Sequence, residues 1–167
     1  MNDSHAGGTS TQAPDDHRIA MAISNEMVAI YKAHFGRGPT RTRTHWAGPD
    51  IVIVTLENTL TQTERKLLTL GEPARLRDLR MLFQYAAAET FCEPVERLTG
   101  RKVRAFVSGV DVHADLATET FVLHPEGYDG PSRTAAVDGS DSGAYWADSH
   151  RLARNGAGAQ RETCETS

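Results

Sequence analysis

Large aliphatic and aromatic residues are concentrated between Asp16 and Pro125, and their spacing changes character several times along that stretch. Ile19, Ile23, Met27, Ile30, Tyr31 and Phe35 recur every three or four residues, which marks one apolar face of a helix. The spacing predicts a helix over His17 to Phe35, capped by Asp15 or Asp16 and closed by Gly36. Thr40 to Trp46 then alternates, with Arg41, Arg43 and His45 on one face and Thr42, Thr44 and Trp46 on the other, as a strand does. A turn at Ala47-Gly-Pro-Asp50 leads into Ile51–Leu56, apolar on both faces like an interior strand covered on both sides.

Thr61-Gln-Thr-Glu64 has capping-box spacing and predicts a helix to about Leu70, with Gly71 and Pro73 ending it and starting another. From Ala74 the positions Leu76, Leu79, Phe83, Ala87, Phe91, Val95 and Leu98 keep helical spacing to Thr99, and Gly100 closes the element. Pro94 lacks an amide hydrogen and its ring collides one turn back, so a kink or break is expected near Cys92. Two strands, Lys102–Ser108 and Thr118–His124, flank a turn from Gly109 to Asp115. The order α-β-β-α-α-β-β predicts an α+β fold, a single two-layer domain whose mostly antiparallel sheet carries helices on one face. A single helical layer leaves the other sheet face open, and a homodimer covering it is expected.

Composition divides the 167 residues into three parts. Residues 1–15 and 126–167 are small, polar and poor in large apolar side chains, so both are expected to be disordered tails around a domain at 16–125. The net charge of −4 is unevenly placed: residues 16–125 carry 14 basic and 13 acidic side chains, while the flanks together carry −5. Whole-chain acidity is therefore a poor guide to the partner of the domain. The strictly apolar runs are short, four residues at Ile51–Val54 and Tyr85–Ala88 and five at Ile19–Ile23 and Met27–Tyr31, far short of the ~20 a spanning helix needs. The N-terminus has no basic segment leading into an apolar one, so no secretory signal is expected. Two distant cysteines, Cys92 and Cys164, form neither a disulfide framework nor a zinc quartet, which suits a reducing cytoplasm.

Few residues invite chemistry. Gly36-Arg-Gly-Pro39 resembles a phosphate loop in composition, but it follows a helix, at its negative end, and lacks a Lys-Ser/Thr pair. Gly36, Gly38 and Pro39 are read as a structural turn, while Arg37, Arg41 and Arg43 form a candidate partner- or anion-binding site. Arg101, Lys102 and Arg104 extend the basic character onto another strand; a solvated face is the bland alternative, and RNA is disfavoured because no aromatics interleave. Asp111, His113 and Asp115 alternate like metal ligands, yet lie in a predicted turn where Asp serves its own backbone; no metal or cofactor is expected. Cys92 beside Phe91 reads as a buried small residue, and Glu89, Glu93 and Glu96 as a solvated helix face. Tyr145-Trp146, with Leu152 beyond, could anchor a tail to a partner. No catalytic constellation emerges, so an enzyme is disfavoured.

One long stretch carries a resemblance. Ile23-Ser-Asn-Glu-Met-Val-Ala-Ile-Tyr-Lys-Ala-His-Phe-Gly-Arg-Gly-Pro-Thr40, with Arg43-Thr44 after it, resembles the opening block of the MpsC-like family. Ile51–Glu57, Leu60-Thr61, Arg80–Gln84, Val95–Arg101 and Phe121–Leu123 follow its pattern in order, over about residues 19–124. The resemblance implies a bacterial domain named as the third component of a Na+-translocating, membrane-potential-generating system, whose two other components are membrane-associated and look like a bicarbonate or cation uptake machine. It carries over no catalytic residue. It implies a non-catalytic accessory or regulatory subunit, cytoplasmic or peripheral at the inner face of the membrane, partnered by membrane transport subunits. A small-anion- or RNA-binding module and an unrecognised enzyme are the alternatives. The long polar C-terminal segment and Pro94 depart from the family pattern.

Overall fold

A computed structural model describes residues 14–133. The remainder of both flanks, including Tyr145-Trp146 and Leu152, lies outside the described residues. Eight elements follow in order: α1 (Pro14–Phe35), β1 (Arg41–Trp46), β2 (Ile51–Glu57), α2 (Gln62–Thr69), α3 (Pro73–Ala86), α4 (Ala88–Thr99), β3 (Val103–Asp111) and β4 (Leu116–Leu123). The strands form one antiparallel sheet in the order β1-β2-β4-β3, giving the expected α+β architecture.

Alternation decides what the sheet buries. Val52, Val54 and Leu56 of β2 face the same way as Ala117, Phe121 and Leu123 of β4, and all are buried. Ile23, Met27 and Tyr31 of α1 and Phe91 and Val95 of α4 close over them. An aromatic chain crosses this core, Tyr31 to Phe91 at 5.9 Å, Phe91 to Phe106 at 5.7 Å and Phe106 to Phe121 at 5.2 Å. The opposite sheet face carries Ile51, Ile53, Thr55, Thr118, Thr120 and Val122, which are only half-buried, with Val107 54% exposed. The expectation that β2 is covered on both sides is thus corrected. β2 is interior to the sheet, but the helices lie on one face only.

Three further expectations give way. Leu79 and Phe83, placed on the apolar face of their helix, are 42% and 52% exposed, while Leu76, Arg80 and Gln84 are buried instead. α3 is rotated so that polar side chains enter the core. α4 runs through Pro94 without a break; the interruption falls at Ala87, seven residues earlier (φ −101°, ψ 15°). The ladder survives on both sides of it, Ala87 N donating to Phe83 O at 3.0 Å and Phe91 N to Ala87 O at 3.2 Å. Gly109 lies within β3, paired with Thr118, rather than in a turn. Beyond β4, Tyr128 stacks on His124 at 3.7 Å and Arg133 donates to Phe106 O of β3 at 3.3 Å.

The capping box at the start of α2 forms as its spacing predicts, Thr61 N donating to Glu64 Oε2 (2.7 Å) and Glu64 N to Thr61 Oγ1 (3.2 Å). The β3–β4 turn is tied to it through Asp115, held at φ +49°. Asp115 Oδ1 accepts from the amides of Thr59 (2.7 Å) and Leu60 (2.9 Å), and Oδ2 from Arg65 (2.7 Å). Asp115→Ala strands two buried amides and is expected to cost about 2–4 kcal/mol, whereas Asp115→Asn keeps an acceptor and costs less. Urea unfolding of the two variants checks this; equal losses would show that the amide bonds are not what Asp115 contributes.

Candidate functional site

Two arrangements of polar side chains stand out, one inside the domain and one on its surface. The interior one begins with Arg80, 1% exposed between α3 and the β2–α2 connection. Its Nε and Nη2 grip Glu64 Oε1 and Oε2 at 2.6 and 2.7 Å, a bidentate fork, and Nη2 also donates to Thr59 O at 3.0 Å. The guanidinium carbon lies 4.2 Å from the Phe35 ring centre, a cation–π contact with the end of α1. Burial alone would raise the Glu64 pKa, but the Arg80 fork and the Thr61 amide outweigh it and hold the carboxyl below its ordinary value.

One turn along α3, Gln84 meets Glu119 of β4 and Tyr31 of α1. Tyr31 donates to Glu119 Oε1 at 2.6 Å, and Gln84 Nε2 donates to Tyr31 Oη at 2.8 Å and to the same Glu119 oxygen at 3.0 Å. All three side chains are fully buried. Burial pushes the Glu119 carboxyl up to about 7, against its hydrogen bonds, and pushes the Tyr31 phenol well above its ordinary range, helped by Glu119. Glu119 Oε2 and Ser108 Oγ, on cross-strand neighbours, have no hydrogen-bond partner but each other among the described residues. A proton on Oε2 makes it a donor with Ser108 Oγ across the strand to receive it. Arg80 cannot neutralise Glu119, since its fork is already filled by Glu64.

The surface arrangement is the basic edge of the sheet. Arg41, Arg43 and His45 are exposed on β1, opposite Glu57, Thr55 and Ile53 of β2, and so rim the open face. Arg41 lies 3.8 Å from Glu57, a loose exposed pair. Arg37 is not part of that row: its Nε donates to Asn58 O at 3.3 Å, latching the turn after α1 onto the end of β2. Gly36 takes φ +71° as a helix stop, and Gly38 packs on Val28, 3.5 Å from where a Cβ would sit. The three arginines therefore divide into a latch and an exposed pair. Arg101 also leaves the basic face, its side chain 11% exposed and donating to Pro49 O (2.6 Å), His124 O (2.9 Å) and Asp50. A groove of about 270 Å³ runs between α1 and β1, lined by His17, Ser24, Thr42, Arg43, Thr44 and His45.

The remaining candidates separate. Asp111 Oδ1 accepts from the amides of Ala114 and His113 at 3.0 Å, which hold its carboxyl below the ordinary value, while Asp115 turns inward, so the three alternating residues do not converge. Among the described residues no group of His, Cys, Asp and Glu is placed to hold a metal ion. Cys92 is buried, and burial, then the nearby Glu96, pushes its thiol up to about 12, the state of an inert core cysteine. Glu89 and Glu93 are exposed as expected, but Glu96 instead receives Val103 N at 2.8 Å.

The family model described as "Na+-translocating membrane potential-generating system (MpsC)" matches residues 15–125, two thirds of the chain and nearly all of the described domain. The chain belongs to the MpsC family. No curated protein and no solved structure matches it. The MpsC match spans every residue of the buried layer, Tyr31, Glu64, Arg80, Gln84 and Glu119, and the basic edge as well. The description links the chain to a Na+-translocating membrane-potential system. No helix among the described residues is long and apolar enough to cross a membrane.

Sequence reasoning passed over the MpsC chain's buried layer because helix α3 was phased on its leucines. The signal was present in Leu76, Arg80 and Gln84 at four-residue spacing, and in Glu119 at an inward position between Ala117 and Phe121. Glu119 also sets a pH dependence. Between its ordinary value of 4.5 and about 7, the folded chain holds a proton that the unfolded chain releases. Stability is therefore fully present below the lower value, falls as pH rises through that window, and levels off above it, by about 3 kcal/mol in all. Glu119→Gln mimics the protonated form. It is expected to match wild type at pH 5 and to exceed it by about 2–3 kcal/mol at pH 8. Denaturant unfolding across that range checks this, and parallel profiles for the two proteins would contradict a proton on Glu119.

Proposed function

We propose that the chain is a non-catalytic accessory or regulatory subunit of a Na+-translocating or bicarbonate-type membrane transport system, working from the cytoplasmic side at the inner face of the membrane. The observation that carries this reading is the open sheet face, where Ile51, Ile53 and Val122 lie among threonines beside the exposed row of Arg41, Arg43 and His45. An apolar strip with a basic rim fits an acidic segment of a membrane subunit: the strip supplies burial, and the rim supplies steering and register. Arg41 is only loosely held by Glu57 at 3.8 Å, so a partner carboxylate can replace that pairing at little cost. Arg37, engaged with the Asn58 carbonyl, holds the turn that positions β1 and touches the partner less directly.

A second reading has one observation in its favour. The groove between α1 and β1 is lined by His17, Arg43 and His45 and by Ser24 and Thr44, whose hydroxyls bond each other at 2.7 Å. Those groups would suit a small anion such as bicarbonate, with the arginine as its counter-charge.

Affinity purification of the tagged chain from native membranes separates the readings. Arg41→Glu with Arg43→Glu is expected to lower recovery of the membrane subunits about tenfold, more steeply at low salt, with folding unchanged. Undiminished recovery would overturn the assignment of this face. Loss of bicarbonate binding without loss of membrane subunits would favour the anion reading.

A further inference from the structure

The rotation of α3 that buries Arg80 and Gln84 turns its leucines outward. Leu79, Leu82 and Phe83 are 42%, 50% and 52% exposed, and Ala86 beside them is exposed too. Residues 75, 79, 82, 86, 89 and 93 follow one another at alternating steps of four and three, the spacing of a helix–helix seam, and all six are exposed. Across the single-residue interruption at Ala87 the outward face continues from α3 into α4. Contiguous apolar surface of this kind on a helix marks a contact with another chain.

Charge is distributed along the stripe with a direction. Along the stripe Arg75 stands at the N-terminal end, Leu79, Leu82 and Ala86 at the centre, and Glu89 and Glu93 at the C-terminal end. Among the described residues Arg75 pairs with Glu72, the residue before the helix, at 3.4 Å, an exposed contact that is easily exchanged. Glu93 is paired with Arg97 at 3.2 Å, whereas Glu89 makes no ion pair among the described residues. A stripe that is basic at one end and acidic at the other is complementary to itself when two copies run antiparallel. Anionic lipid would attract one end and repel the other, so the pattern fits a membrane surface poorly.

We propose that this stripe is the contact with a second copy of the chain, the two α3 helices packing antiparallel about a two-fold axis between Leu82 and Phe83. That axis sets Leu82 against Phe83 of the second copy, Leu79 against Ala86, and Arg75 beside Thr90 and Glu89. The apolar contacts supply the affinity, and the Arg75–Glu89 pairs fix the antiparallel direction. The sheet face, where a homodimer was expected from the single helical layer, is left free.

Sedimentation equilibrium of the full chain tests this. Wild type is expected to be a dimer and Leu82→Glu a monomer with an unchanged circular dichroism spectrum, since position 82 is exposed in the protomer. Arg75→Glu and Glu89→Arg are each expected to weaken the dimer about tenfold, and the two together to restore it. Val107→Glu, on the sheet face, should leave the dimer intact. A monomeric wild type, a dimer that survives Leu82→Glu, or a dimer lost through Val107→Glu each overturns the proposal. Failure of the double charge exchange to restore association overturns the antiparallel pairing.

Discussion

The orientation of α3 depends on one buried ion pair. An arginine that is 1% exposed must have its charge and donors met inside the protein, or the desolvation cost unfolds the region. Here Glu64 answers the guanidinium through two short bonds, the Thr59 carbonyl takes a further donor, and Phe35 lies against its face. Each partner comes from a different part of the chain: the first turn of α2, the end of the β2–α2 connection, and the end of α1. Such a pair is a weak source of net stability but a strong constraint on geometry. No other rotation of α3 would satisfy the same guanidinium.

Several features of the domain follow from that constraint. Glu64 is prepared for the pairing by its capping box, and the Thr59 segment is held by Asp115 from the far turn of the sheet. With Arg80 fixed, Gln84 falls one turn further along the same face and reaches Tyr31 and Glu119. The buried layer thus holds two polar clusters one turn apart along α3, Arg80 with Glu64 and Thr59, and Gln84 with Tyr31 and Glu119. The same rotation sends Leu79, Leu82 and Phe83 to the surface. The interior meets the donors of the Arg80 guanidinium, and the outside of the helix acquires an exposed apolar face. The sheet, covered on one side only, offers a second face with a basic rim. The domain thus presents two exposed faces, and the family it belongs to is described as a Na+-translocating membrane potential-generating system.

Much of this fold was legible in the residues. Strict alternation marks β1, three- and four-residue spacing marks α1, and Thr61-Gln-Thr-Glu64 marks the start of α2. The phase of α3 was not legible in the same way. Leu76, Leu79 and Phe83 compete with Leu76, Arg80 and Gln84 for the inward direction, and hydrophobicity alone favours the first set. The second set wins because Glu64, sixteen residues earlier, and Glu119, thirty-five residues later, converge on it. Long-range pairing of this sort has no local signature. Pro94 misled for the opposite reason: a local rule predicted a break near Cys92, yet the helix runs through the proline and is interrupted at Ala87. The exposed arginines of β1 were visible as a row, but only the tertiary structure separates Arg37, latched to Asn58, from Arg41 and Arg43.

The central claim is that Arg80 and Glu64 act as one unit that orients α3. A double-mutant cycle with Arg80→Met and Glu64→Gln, read by urea unfolding at neutral pH, measures that directly, because glutamine preserves the capping contact while removing the charge. Each single change should cost about 3–5 kcal/mol by leaving a polar partner buried and unmet, and the double change should cost well below the sum, by at least ~2 kcal/mol. Additive losses within ~0.5 kcal/mol would show that the two side chains do not depend on each other, and would contradict the account.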